Sequence, residues 1–89
     1  MKARIYVTLK PGVLDPQGKA IRSSLATLGF GGVDDVRLGK YLEIALGETD
    51  PARARAAVEQ MCQKLLANTV IENYRVELDA EPKAGPKAS

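Results

Sequence analysis

Val33-Asp34-Asp35-Val36-Arg37-Leu38-Gly39-Lys40-Tyr41-Leu42-Glu43-Ile44-Ala45-Leu46 is the stretch on which the fold turns. Two short apolar-rich runs, 33–38 and 41–46, flank Gly39-Lys40, and this pattern reads as two strands of a hairpin. A two-residue turn would pair Leu38 with Tyr41 and Val36 with Glu43, mixing faces. A connection centred on Lys40 pairs Leu38 with Leu42 and Val36 with Ile44, keeping apolar opposite apolar, and is the expected register.

Upstream, Ala3, Ile5, Val7 and Leu9 alternate with Lys2, Arg4, Tyr6, Thr8 and Lys10, the period of a half-buried strand. Pro11-Gly12 breaks it. Asp15-Pro16 then offers a capping carboxylate followed by a proline at a position where a missing N–H costs nothing. Ile21, Leu25 and Leu28 recur at helical spacing, and Gly29 can close the helix in a left-handed conformation, so a helix is expected over about 16–28.

Downstream, Asp50-Pro51 repeats the cap-plus-proline device. Ala54, Ala57, Val58, Met61, Cys62, Leu65 and Leu66 follow the i, i+3, i+4, i+7 pattern of a second helix. Asn68 reads as its left-handed terminator, and Tyr74, Val76 and Leu78 alternate with Arg75 and Glu77 in a last strand. The predicted order is βαββαβ, an α+β ferredoxin-like sandwich with two helices on one face of a four-stranded antiparallel sheet. One domain over 1–78 is expected, followed by a disordered tail over 79–89 that carries two prolines and no large apolar residue. The uncovered sheet face would carry Arg4, Tyr6, Thr8, Lys10, Arg37, Tyr41, Glu43, Arg75 and Glu77, a mixture that water solvates and a partner protein can also bind.

Composition narrows the function. Thirteen basic and eleven acidic residues give a net charge of +2, too balanced for a nucleic-acid surface. One cysteine and no histidine leave the usual metal sites without ligands and exclude an internal disulfide. No apolar run approaches the ~20 residues that span a bilayer, so a cytoplasmic protein without membrane contact is expected. A chain of 89 residues has a core small enough that self-association or docking on a partner would stabilise it.

Catalytic constellations fail one by one. Gly12 and Gly18-Lys19 imitate a phosphate-binding loop, but five residues separate the glycines and Ala20 stands where a magnesium-binding hydroxyl is needed. Cys62 has no histidine to deprotonate it and shares its helical phase with apolar residues. Asp34-Asp35 and Glu43 lack an apolar pocket to set acid and base apart. RNA binding through a sheet face needs aromatics stacked on the central strands, and Lys40-Tyr41-Leu42-Glu43-Ile44-Ala45 offers one tyrosine beside an acidic residue.

Three segments instead resemble the PurS family: Pro11-Gly12-Val13-Leu14-Asp15-Pro16-Gln17-Gly18-Lys19-Ala20-Ile21, Val36-Arg37-Leu38-Gly39-Lys40-Tyr41-Leu42-Glu43-Ile44, and Cys62-Gln63-Lys64-Leu65-Leu66-Ala67-Asn68-Thr69-Val70-Ile71-Glu72-Asn73-Tyr74. Thr69 departs from the family pattern, which usually carries proline there. The resemblance implies a non-catalytic small subunit of phosphoribosylformylglycinamidine synthase. That complex uses ATP and glutamine to convert formylglycinamide ribonucleotide (FGAR) into formylglycinamidine ribonucleotide (FGAM) in purine biosynthesis, as a C–N ligase of the amidotransferase type. It further implies a homo-oligomer, dimer or tetramer, that bridges a glutaminase subunit and a synthetase subunit, with ATP and magnesium used by the synthetase and no cofactor on this chain. Arg37, Lys40, Asn68 and Glu72 are hard to explain by packing and are the expected partner interface, with the sheet face around Tyr6 as the next candidate. An acylphosphatase-like hydrolase shares this size and element order, yet Lys10-Pro11-Gly12-Val13-Leu14 lacks the arginine such a loop requires. A small-molecule-sensing module of the same fold class is the other alternative.

Overall fold

The computed structural model describes residues 1–79. Strand β1 (Lys2–Leu9) is followed by helix α1 (Pro16–Thr27), strand β2 (Gly39–Ala45), helix α2 (Pro51–Met61), a π-helical turn (Cys62–Leu66) and strand β3 (Glu72–Leu78). The sheet is antiparallel in the order β2-β1-β3, so β1 is the strand with a neighbour on each side. Its alternation decides the core. Ala3, Ile5 and Val7 are fully buried, matched by Val76 and Leu78 from β3 and covered by Ala54, Val58 and Cys62. A polar belt fixes α2 to β3: Tyr74 donates to Glu59 (2.6 Å) and Arg55 donates to the Val76 carbonyl (3.1 Å).

The α+β class and both helices follow the sequence pattern, but the described sheet has three strands, not four. Residues 33–38 carry no strand pairing, and Gly39-Lys40, expected as a turn, lies inside β2 opposite Thr8 and Val7. Gly39 is needed for closeness rather than for bending. A Cβ there would sit 2.7 Å from the Val7 carbonyl oxygen, and its φ is not positive.

The second correction concerns α1. Asp15 caps it as expected, accepting from the Gly18 N–H. Its end is closed by Gly29 at φ +100, with the Phe30 N–H reaching the Leu25 carbonyl and the Gly29 N–H reaching that of Ala26. Yet α1 does not lie on the sheet beside α2. Its one buried residue is Gly18, while Ile21, Leu28 and Phe30 are 38%, 71% and 59% exposed. Residues 16–38 therefore form an arm of helix and return segment that leaves most of its apolar side uncovered.

The C-terminal end of α2 also departs from simple periodicity. The Ala67 N–H bonds the Cys62 carbonyl five residues back, and this wider turn shifts the phase so that Leu65 points outward, 82% exposed. Ala57 is exposed as well. Asn68 does not terminate the helix in a left-handed conformation: among the described residues no non-glycine has a positive φ, and Ala67 ends the turn in an extended one. Asp79, placed in the tail by sequence, extends the ladder through its N–H to the Lys2 carbonyl. The rest of the expected disordered tail lies outside the described residues.

Gly39→Ala is expected to lower stability by about 1–3 kcal/mol because its new methyl group meets backbone. Gly47→Ala, with open space at its Cβ, should stay within about 0.5 kcal/mol of the unaltered protein. Thermal denaturation of the two variants side by side checks this.

Candidate functional site

The residues singled out by sequence fall into three places. Lys40, Asn68 and Glu72 converge at the end of the sheet where β1 runs out. Pairing of Val7 with Lys40 and Leu9 with Glu72 puts both charged side chains on the helix-bearing side of the sheet. Lys40 Nζ donates to the Leu66 carbonyl (3.1 Å) and lies 4.0 Å from Glu72 Oε1. The same carboxylate oxygen accepts the Asn68 N–H (2.7 Å), and Asn68 Oδ1 accepts from the Val70 N–H, closing the turn at Thr69 where the family pattern carries proline. Lys40 thus clasps the exit of the π-helical turn. Beside it, Leu65 and Val70 are exposed and Ile71 is partly so.

A shallow hollow of about 290 Å³ opens next to this corner, lined by Leu9, Asp15, Gln17, Leu38, Gly39, Lys40 and Glu72. Asp15 is its buried acid, 4% exposed. One carboxylate oxygen accepts the Gly18 N–H (2.8 Å) and the other the Leu38 N–H (2.7 Å). The bond from Leu38, then that from Gly18, holds the carboxyl below its usual range, with a smaller contribution from the Arg37 charge. Every buried side-chain nitrogen and oxygen among the described residues has a hydrogen-bond partner. No described group of three or more His, Cys, Asp or Glu is placed to hold a metal ion.

Arg37 stands apart from Lys40 in its bonding. It donates to the Lys10 carbonyl (3.2 Å), tying the return of the arm to the end of β1, and it is not part of the sheet face as the hairpin reading had placed it. Tyr6 lies on the opposite face of the sheet, which matches expectation for Arg4, Thr8, Tyr41, Glu43, Arg75 and Glu77. Tyr6 and Tyr41 rings approach to 5.1 Å, and the Arg75 guanidinium sits 4.1 Å above Tyr6. Charges on this face are paired: Lys2 with Glu43 (3.4 Å) and Arg4 with Asp79 across neighbouring segments, and Arg75 with Glu77 along β3. The Tyr41 hydroxyl donates to Glu43 (2.7 Å), which pushes the tyrosine up and the carboxylate down.

None of these groups makes a nucleophile or a matched acid and base. Cys62 is fully buried, and burial pushes its thiol up, away from the reactive thiolate. The arm is what sequence reasoning missed: helical spacing of Ile21, Leu25 and Leu28 implies a helix laid on the sheet, and spacing alone does not say which surface a helix meets.

Comparison with known proteins agrees along nearly the whole described chain. The family model described as PurS, phosphoribosylformylglycinamidine (FGAM) synthase, matches residues 2–80. The phosphoribosylformylglycinamidine synthase subunit PurS of Synechocystis is 56% identical over 77 residues, covering 86% of this chain and 77% of that one. Its Bacillus subtilis counterpart is 47% identical over 88% of this chain and 92% of its own. Among solved structures, B. subtilis PurS superimposes with a TM-score of 0.77 at 49% identity, over 85% of this chain and 94% of that one. A chain in the structure of PurLQS from Thermotoga maritima gives 0.78 at 32% identity, over 85% and 93%.

Asp15 generates a pH prediction. Its folded pKa is depressed, so the stability it contributes is fully present above the ordinary carboxylate value of 3.8 and is lost as pH falls below that through the depressed value. An NMR titration should find the Asp15 carboxyl titrating below the ordinary value of 3.8, with the Gly18 and Leu38 amide signals moving together at that same pH.

Proposed function

The chain belongs to the PurS family, and from that premise we propose that it is the non-catalytic small subunit of phosphoribosylformylglycinamidine synthase, bridging a glutaminase subunit and a synthetase subunit in ATP- and glutamine-dependent conversion of FGAR to FGAM. The observation that carries this reading is the uncovered arm. A chain that displays Ile21, Leu28 and Phe30 to solvent, and whose described residues form no activated nucleophile or acid–base pair, is built to meet other polypeptides.

The first of those polypeptides is a second copy. On the sheet, α2 covers β1 and β3, whereas Leu42, Ile44 and Leu46 are only half-buried. That strip is the seat a second helix takes in a two-helix sandwich, and an α1 held away from its own sheet suits the seat of a partner chain. The outer edge of β2 is also unpaired, and residues 33–38 of a second copy would complete it as a fourth strand. Homodimerisation therefore accounts for both departures from the expected fold.

The synthase partners are assigned to the surfaces that remain. Arg37, Lys40, Asn68 and Glu72, with exposed Leu65 and Val70, form the primary contact, and the charge-paired face around Tyr6 the secondary one. ATP and magnesium belong to the synthetase subunit, and the assembly acts in the cytoplasm. No helix among the described residues is long and apolar enough to cross a membrane.

The isolated chain should show no glutaminase or ATPase turnover, and adding it to the glutaminase and synthetase subunits should restore glutamine-dependent FGAM formation. Sustained turnover by the chain alone, or full synthesis without it, would end the scaffold reading. Arg37→Ala combined with Lys40→Ala should change stability by less than about 1 kcal/mol, since both side chains are exposed. The same double variant should weaken complex formation by more than about 1 kcal/mol, as calorimetric titration would read.

A further inference from the structure

We propose that the Asp15 carboxylate is a lock that holds the arm in its open position, committing it to a second copy instead of the chain's own sheet. The proposal rests on the pairing reading above and adds what enforces it. An exchanged element makes similar contacts at home and abroad, so the balance is set by the segments that connect it to the body. Here there are two, residues 10–15 on the way out and 36–39 on the way back, and the structure fixes both.

The outgoing segment is a tight turn. The Val13 N–H bonds the Lys10 carbonyl (3.1 Å), with Pro11 and then Gly12 at φ +86 in the two central positions, the geometry proline and glycine favour together. The returning segment is bound to the outgoing one by Asp15, whose two oxygens join the first turn of α1 to the Leu38 N–H. Arg37 adds a bond to the same Lys10 carbonyl that closes the turn. Gly18 lets the first turn of α1 approach the return segment, since a Cβ there would collide with the Val36 carbonyl oxygen. These contacts lie within one chain, so the arm's direction is set before any partner arrives, and pre-setting a bound geometry is what strengthens association.

Asp15→Ser separates the lock from the helix cap. A serine hydroxyl still caps the Gly18 N–H, but one oxygen on a shorter side chain does not also hold Leu38. The full-length variant and the unaltered protein are compared by sedimentation equilibrium and by amide hydrogen exchange. If the lock operates, Leu38 exchange speeds by about tenfold or more while the Ile5 and Val7 amides keep their rates. The dimer dissociation constant then rises by about tenfold, with a compact monomer appearing. An unchanged Leu38 rate, or a freed Leu38 with an unchanged dimer constant, would overturn it. If the unaltered protein is itself monomeric, the pairing reading fails separately. The lock is then judged on Leu38 exchange and on spin-label distances from Ser24 to Thr49: a broadened distribution in the variant supports it, and an unchanged one overturns it.

Discussion

β1 is the constraint from which the rest follows, because it is the strand with ladders on both sides and its inward residues Ala3, Ile5 and Val7 are fully buried. A core centred on one eight-residue strand is filled by β3, α2 and the π-helical turn that follows it, with Leu42 and Ile44 of β2 packed at its margin. Whatever lies beyond that reach stays outside: α1, the return segment 28–38, and the outer edge of β2. A chain of this length buries only about 60% of its unfolded surface, so a choice of which helix to cover is forced on it. The polar belt of Arg55, Glu59 and Tyr74 decides that choice for α2.

Much of this was legible in the sequence wherever the signal is local. Asp15 and Asp50 cap helices as their Asp-Pro pairs imply, Gly29 closes α1, and the alternation of β1 and β3 gives their buried faces. The misreadings have a common cause: each depended on what a segment meets across space. Gly39 resembles a turn residue but is a contact residue, required by the approach of Val7. Leu65 keeps the helical period in sequence and loses it in the fold, because one π-helical turn shifts the phase. The Lys40, Asn68 and Glu72 cluster was named residue by residue, yet its meeting point at the end of β1 follows only from the strand register.

The surfaces divide by chemistry. The face around Tyr6 has its charges matched within the chain, so covering it leaves few unpaired ions behind. The corner at Lys40 combines a pinned cation with exposed aliphatic side chains, and the arm displays Ile21, Leu28 and Phe30. None of the three surfaces carries a reactive group, as the proposed bridging role requires.

Whether the arm crosses between chains is the most direct test of this account. Two single variants, Ile21→Cys on the arm and Leu42→Cys on β2, would be mixed after isotopic labelling of one of them and treated with a short bifunctional maleimide; native Cys62 is fully buried and stays silent. The account predicts heavy–light cross-linked dimers joining residue 21 of one chain to residue 42 of the other. Cross-links that form only within single chains of the Ile21→Cys, Leu42→Cys double variant, with none in the mixture, would contradict it.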